Sequence, residues 1–130
     1  MPRAYTIATA ALALGVPAKW LDNTLSHFRI EGVEQERQGV ARRLSLHALL
    51  VLAVSALLTR ELGIPVARAL ELAKNIIAGN GELVFGDRLR LSTELATVRV
   101  DLLRSLEHAV EVAPLPRRGR PPKNTTGRPE

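Results

Sequence analysis

The sequence predicts a mostly α-helical protein with two small β-hairpins, a C-terminal helix and a disordered basic tail. Apolar residues recur at spacings of three and four along most of the chain, the period of an amphipathic helix. Glycine and proline interrupt this pattern where helices are expected to begin and end. The apolar share is 46%, while aromatic residues make up only 3%. This composition favours packed helices over a β-sandwich.

The first 28 residues predict two short helices joined by a tight turn. One helix ends at Gly15, and a second opens near Pro17, which suits a first helical turn. Small Ala11 is expected where the helices touch, with Val16 and Leu21 buried. The spacing assigns the following residues to the two inner faces: Ile7, Ala10, Ala11 and Leu14, then Leu21, Leu25 and Phe28. The pair therefore has the pattern of a helix-turn-helix.

The next segment, residues 32–44, is polar with sparse β-branched residues and predicts two short strands around a turn near 37–39. Ser45 is expected to cap a Leu-rich helix that ends at Gly63. Pro65 then opens another helix through Ala78. The expected core positions of these two helices are Leu46, Leu49, Leu50, Ala53, Leu57 and Leu58, then Val66, Ala69, Leu70, Ala73 and Ile77.

The last ordered segment is predicted to be a hairpin followed by a helix. Alternation in residues 82–91 indicates two strands, with Gly86-Asp87 as a two-residue turn. A final helix carries Leu95, Val98, Leu102, Leu106 and Val110 on one stripe. That stripe could pack against the rest of the chain or against a second copy, and we expect a homodimer.

The exposed face of the second helix supplies candidate DNA contacts. Lys19 and Asn23 lie one turn apart, so they can reach one groove, where Asn can pair with adenine and Lys with guanine or phosphate. The alternative is an ordinary solvated helix face, and Asp22 between them opposes a phosphate. The candidate residues are Ala18, Lys19, Trp20, Asn23 and His27 on this helix.

The predicted hairpin adds cations that could touch the DNA backbone. Arg37, Gln38, Arg42 and Arg43 are the candidate contacts. Glu31, Glu34 and Glu36 partly neutralise them. Ion pairs within the protein are therefore an equal alternative for these arginines.

The C-terminal segment carries a basic motif held extended by proline. Residues 114–130 contain five cations and one acid, so they carry a net +4, whereas the first 113 residues carry only +1. The core Arg118-Gly119-Arg120-Pro121 resembles the AT-hook, a motif that enters the narrow A·T minor groove. A plain solubilising tail is the alternative. The expected contacts of this tail are Arg117, Arg118, Gly119, Arg120, Pro121 and Lys123.

A longer resemblance spans about residues 5–78. The order of helix, Gly-Val turn, helix, hairpin, Arg42-Arg43-Leu44-Ser45, Leu-rich helix and Glu61-Leu62-Gly63-Ile64 is similar to the winged helix-turn-helix domain of MerR-type regulators. The resemblance implies a second helix in the major groove, a wing on the backbone or minor groove, and a dimer. The family's long coiled-coil helix and its cysteine ligands are missing, so metal or drug sensing is not expected.

Other functional classes find little support in the residues. The chain has no cysteine, and His27, His47 and His108 lack the spacing of metal ligands. No catalytic triad pattern, phosphate-binding loop or paired carboxylates appear, so neither an enzyme nor a cofactor or small-molecule ligand is expected. The apolar run 48–58 is too short to cross a bilayer, which needs about 20 residues, and no membrane association is expected.

These observations predict a sequence-specific double-stranded DNA-binding protein of the cytoplasm and nucleoid, most simply a transcriptional regulator. Residues 1–78 would form the DNA-binding domain, 79–113 an accessory or dimerisation element, and 114–130 the flexible tail. One alternative is an architectural or recombination accessory protein that bends DNA. Another is an antitoxin-like or adaptor module that binds a protein.

Overall fold

A computed structural model of the chain describes residues 4–35 and 41–112, and these residues are mostly helical. The helical class expected from the sequence is thus confirmed. Within these two ranges the helices are α1 (Ile7–Leu14), α2 (Ala18–His27), α3 (Leu46–Leu62), α4 (Val66–Ala78) and α5 (Leu95–Val112). The strands are β1 (Ala4–Tyr5), β2 (Val33–Glu34), β3 (Arg43–Ser45), β4 (Glu82–Phe85) and β5 (Leu89–Ser92).

The helix ends lie where local residues predict them. Gly15 and Gly63 end α1 and α3 in the left-handed conformation, with φ of 70° and 71°, which glycine adopts without steric cost. Ser45 caps the start of α3, and its hydroxyl accepts a hydrogen bond of 3.1 Å from the Ala48 amide. Ser45 is also the last residue of β3, so strand and helix share one residue.

Helix α3 is the centre of the core. It is buried on most of its circumference, well beyond the single stripe expected from the sequence, because α4, α5, α1 and β3 all pack around it. Ser55 is its one buried polar side chain, and the hydroxyl donates to the Leu52 carbonyl at 3.1 Å. None of the described helices has the length and apolar character needed to cross a membrane. The buried residues of α3 are Ala48, Leu49, Leu50, Val51, Leu52, Val54, Ser55 and Leu58.

A small antiparallel sheet joins the N-terminus to the segment after α2. Its strand order is β1-β3-β2, so β3 lies in the middle. Leu44 of β3 is fully buried and stands opposite Tyr5 on one side and Val33 on the other. The two strands expected from residues 32–44 are therefore present, while the turn near 37–39 lies outside the described residues.

The second hairpin corrects one expectation about its turn. Phe85 pairs with Leu89, which leaves three loop residues, Gly86, Asp87 and Arg88, where Gly86-Asp87 alone was expected. Gly86 adopts a φ of 64°. The extra residue places Leu83 opposite Leu91, so the expected apolar face of the hairpin keeps its pairing.

The apolar stripe of α5 packs on α1 and α3 of the same chain. Leu95, Leu102 and Leu106 are buried in the shared core, as the spacing predicts. Val110 was wrongly placed on this stripe, because it is exposed and Ala109 is buried in its place. Counted from Leu95, four turns of about 3.6 residues end near position 109, so Ala109 and not Val110 continues the buried stripe.

The central position of α3 can be tested with two leucines of this one helix. Leu49 is completely buried, whereas Leu62 is 60% exposed. We expect Leu49→Ala to lower the free energy of unfolding by about 2–5 kcal/mol, since it leaves a cavity. Leu62→Ala, the control, should change it by less than about 0.5 kcal/mol. Urea denaturation followed by circular dichroism measures both, and equal losses would contradict this core.

Candidate nucleic-acid interface

The α1–α2 pair presents one helix face outward. The Val16 amide donates to the Ala11 carbonyl at 3.0 Å, so the chain turns sharply after α1. Leu21 and Leu25 then anchor the inner face of α2 in the core. With that face fixed, the opposite side of α2 is exposed to solvent.

Three candidate residues form a row on this outer face. Lys19, Asn23 and His27 follow one another at single-turn spacing, and all three are exposed. Neither the Lys19 ammonium group nor the Asn23 side-chain amide forms a hydrogen bond or an ion pair with any described residue. The His27 Nδ1 atom lies 2.8 Å from the Asn23 carbonyl oxygen and must donate to it, since a carbonyl only accepts. In the neutral form of the ring, Nε2 is then an acceptor on an exposed side chain.

The other two candidates on α2 lie at the margins of the row. Ala18 is the exposed first residue of the helix. Trp20 is half-buried and packs against the core, as expected for an edge residue. Pro17 precedes the helix without a side-chain cap, so amides of the first turn are open to an acceptor such as a phosphate.

An ion pair joins α2 to Arg42, the residue that directly precedes β3. The Arg42 Nη1 atom donates to Asp22 Oδ1 at 2.6 Å, and Nη2 donates to the Ser26 hydroxyl at 3.2 Å. The Ser26 hydroxyl in turn donates to the Asp22 carbonyl at 2.9 Å. Asp22 and Ser26 form the row beside Lys19 and Asn23, so the arginine lies along the edge of the candidate face.

Arg42 forms an ion pair within the protein, which is one of the two roles considered for it. Its positive charge is paired with the Asp22 carboxylate, so the two side chains together carry no net charge at the edge of this face. Arg43, by contrast, is exposed and forms no ion pair with a described residue, although Glu34 stands opposite it in the sheet. Neighbouring strand residues point to opposite sides, so Arg43 points away from the side on which Leu44 is buried.

The remaining predicted contacts lie outside the described residues. These are Arg37 and Gln38 of the hairpin turn, and Arg117, Arg118, Gly119, Arg120, Pro121 and Lys123 of the tail. In the described part of the chain, no group of three or more His, Asp or Glu side chains is arranged to hold a metal ion.

Sequence reasoning missed three residues of this surface. Arg29 lies two residues after the end of α2 and is exposed, with no ion pair to any described residue. Its position just beyond the helix was the available signal. Asp22 was considered only as a group that opposes a phosphate, and Ser26 only as a solvated residue, because their partner Arg42 is 20 and 16 residues away along the chain.

Comparison with known proteins adds no assignment. No family model, curated protein or solved structure matches this chain.

Proposed function

We propose that the protein binds double-stranded DNA in a sequence-specific manner, with α1, α2 and the β2–β3 hairpin acting as a winged helix-turn-helix. The supporting observation is the bond between Arg42 and α2. It joins the hairpin to α2, whose Lys19 and Asn23 side chains bond to no other residue in the described part of the chain. A single continuous surface can then meet the major groove and the flanking backbone together.

The exposed row on α2 has the chemistry for reading base edges. The Asn23 side-chain amide can pair with adenine through two hydrogen bonds, donating to the ring nitrogen N7 and accepting from the N6 amine. Lys19 can donate to guanine or to a phosphate at the open start of α2. His27 Nε2 can accept from a base amine or, when protonated, donate to a phosphate.

The chain order supports a MerR-type arrangement in particular. Two helices are followed by a hairpin and then by two further helices, α3 and α4. Strand β1 completes the sheet next to β3. We propose a transcriptional regulator that acts on nucleoid DNA in the cytoplasm.

The tail would supply a second, weaker contact. The body of the protein is nearly neutral, while residues 114–130 carry a net +4. An arginine pair in the A·T minor groove, tethered to a head in the major groove, raises affinity through its effective concentration. Helix α5 ends at Val112, close in sequence to the basic segment 114–130.

A second copy of the chain would complete the DNA-binding form. The inner stripe of α5 is used within the chain, but Ala96, Val100, Leu103 and Val110 form an outer stripe that is exposed. Their spacing of four, three and seven residues follows a heptad seam. We propose that this face pairs with the same face of a second copy.

The charges on α5 favour an antiparallel pair. Arg99 and Arg104 precede Glu107 and Glu111 along the helix, with Asp101 between the two arginines. The two arginines and the two glutamates form no ion pair with another described residue. In an antiparallel pair the arginines of one copy can meet Glu107 and Glu111 of the other, which suits a two-fold axis.

The recognition face is tested by removing its two base-reading side chains. We expect Lys19→Ala with Asn23→Ala to flatten the sequence preference obtained by selection from random duplexes, since each good base contact contributes about 1–3 kcal/mol. Lys74→Ala with Asn75→Ala is the matched control, because it removes the same exposed residue types from α4. An unchanged consensus in the first variant would exclude this face.

The tail is tested through salt dependence and base composition. Deleting residues 114–130 should make the slope of log K against log salt shallower by about 0.9 for each lost phosphate contact. Arg118→Ala with Arg120→Ala should abolish the preference for A·T flanks, whereas Arg128→Ala, outside the motif, should keep it. If the deletion leaves affinity unchanged, the tail has no part in binding.

The dimer is tested by charge exchange on α5. Arg104→Glu should weaken self-association by about tenfold or more, because an acid at this position would face the glutamates of the second copy. Adding Glu107→Arg in the same chain should restore it. Analytical ultracentrifugation measures the self-association of both variants. Val100→Asp on the proposed face of α5 should weaken it as well, whereas Val84→Asp on the exposed face of β4 is the matched control and should not. A monomeric wild type would contradict the proposed face.

The alternative functions give different results in the same experiments. An architectural protein would shift duplexes of every sequence and bend them, with no consensus emerging from selection. An adaptor would shift no duplex at physiological salt.

A further inference from the structure

Asp22 is the more exposed partner in its ion pair with Arg42. Its side chain is 56% exposed, whereas that of Arg42 is only 20% exposed. The carboxylate therefore covers the guanidinium at the edge of the candidate face. A ligand that approaches α2 from outside meets an acceptor here before it meets a cation.

The carboxylate is also held in one orientation. Asp22 Oδ1 accepts from Arg42 at 2.6 Å, and Arg42 is itself fixed by Ser26 at 3.2 Å. The second oxygen, Oδ2, makes no hydrogen bond to any described residue. An oriented acceptor with one free oxygen, next to Asn23 on the same helix, is suited to a specific donor.

In the major groove the donors that suit such an acceptor are the exocyclic amines of bases. A carboxylate only accepts and repels phosphate, while cytosine presents a single N4 amine donor there. Adenine presents an amine beside a ring acceptor, which suits the Asn23 amide better than a carboxylate. The position of Asp22 between Lys19 and Asn23 therefore matches a cytosine in the same site.

We propose that Asp22 is a specificity-determining residue that accepts a hydrogen bond from the N4 amine of a cytosine, and that Arg42 is the positioning residue that orients it. This inference rests on the proposed DNA-binding function. The Asp22–Arg42 pair thus serves base selection, and Arg42 itself does not bind the phosphate backbone.

The experiment is selection from random duplexes with the full chain and its variants, followed by competition binding on the selected site. Asp22→Ala should lose the preference for cytosine at one position by about 5- to 150-fold and keep the remaining consensus. Asp22→Asn should move that position towards adenine, because an amide both donates and accepts. Arg42→Gln should weaken the preference for cytosine at that position and leave the other positions unchanged. The double variant Asp22→Ala with Arg42→Gln should behave like Asp22→Ala.

Glu71→Gln is the matched control, since it removes an acid from another exposed ion pair, that with Arg68 on α4. Thermal unfolding checks that each variant is folded. If Asp22→Ala does not fold, the isosteric Asp22→Asn variant takes its place in the comparison. A wild type that binds no duplex would remove the proposed function and this inference with it.

A wild type that selects a consensus retained by Asp22→Ala would overturn the inference alone. The same conclusion follows if Asp22→Ala binds all duplexes more tightly and with a steeper salt dependence. In that case Asp22 acts only by pairing with Arg42, which would otherwise bind phosphates.

Discussion

The burial of α3 on most of its circumference is the constraint on which the rest of the structure depends. A helix of this kind cannot be stable alone in water, since each fully buried leucine contributes about 1.5–3 kcal/mol only when other elements cover it. Helices α1, α4 and α5 and strand β3 provide that cover. The small sheet and the α1–α2 pair therefore have their places set by one apolar helix.

The same core holds the candidate DNA surface in place. Leu21 of α2 and Leu44 of β3 are both fully buried, so the helix and the strand are anchored from within. The ion pair between Asp22 and Arg42 lies at the surface and contributes little to stability, within about 0–1 kcal/mol for exposed pairs. Its effect is on orientation, because the packing beneath has already brought the two residues together.

Much of the fold could be predicted from local sequence, because its signals act over a few residues. The glycine ends of α1 and α3, the Ser45 cap and the exposed row of α2 were all found in this way. The predictions that failed concern features set by tertiary packing. Ile76 of α4 is fully buried where Ile77 was expected, and the hairpin loop includes Arg88.

For the candidate site, the sequence identified the exposed side chains of α2 and left the role of Arg42 open. The partner of Arg42 could not be identified, since nothing near residue 42 points to residue 22.

The shared residue at the end of β3 has a consequence for how this chain can change over evolutionary time. Ser45 donates its amide to the Gly32 carbonyl at 2.8 Å as part of the sheet region and caps α3 with its hydroxyl. An α-helix turns by about 100° per residue, so one inserted residue at this junction would rotate every apolar side chain of α3 out of register. Length variation among descendants of this sequence should accumulate in loops such as 86–88, and the strand-to-helix junction should keep a constant length.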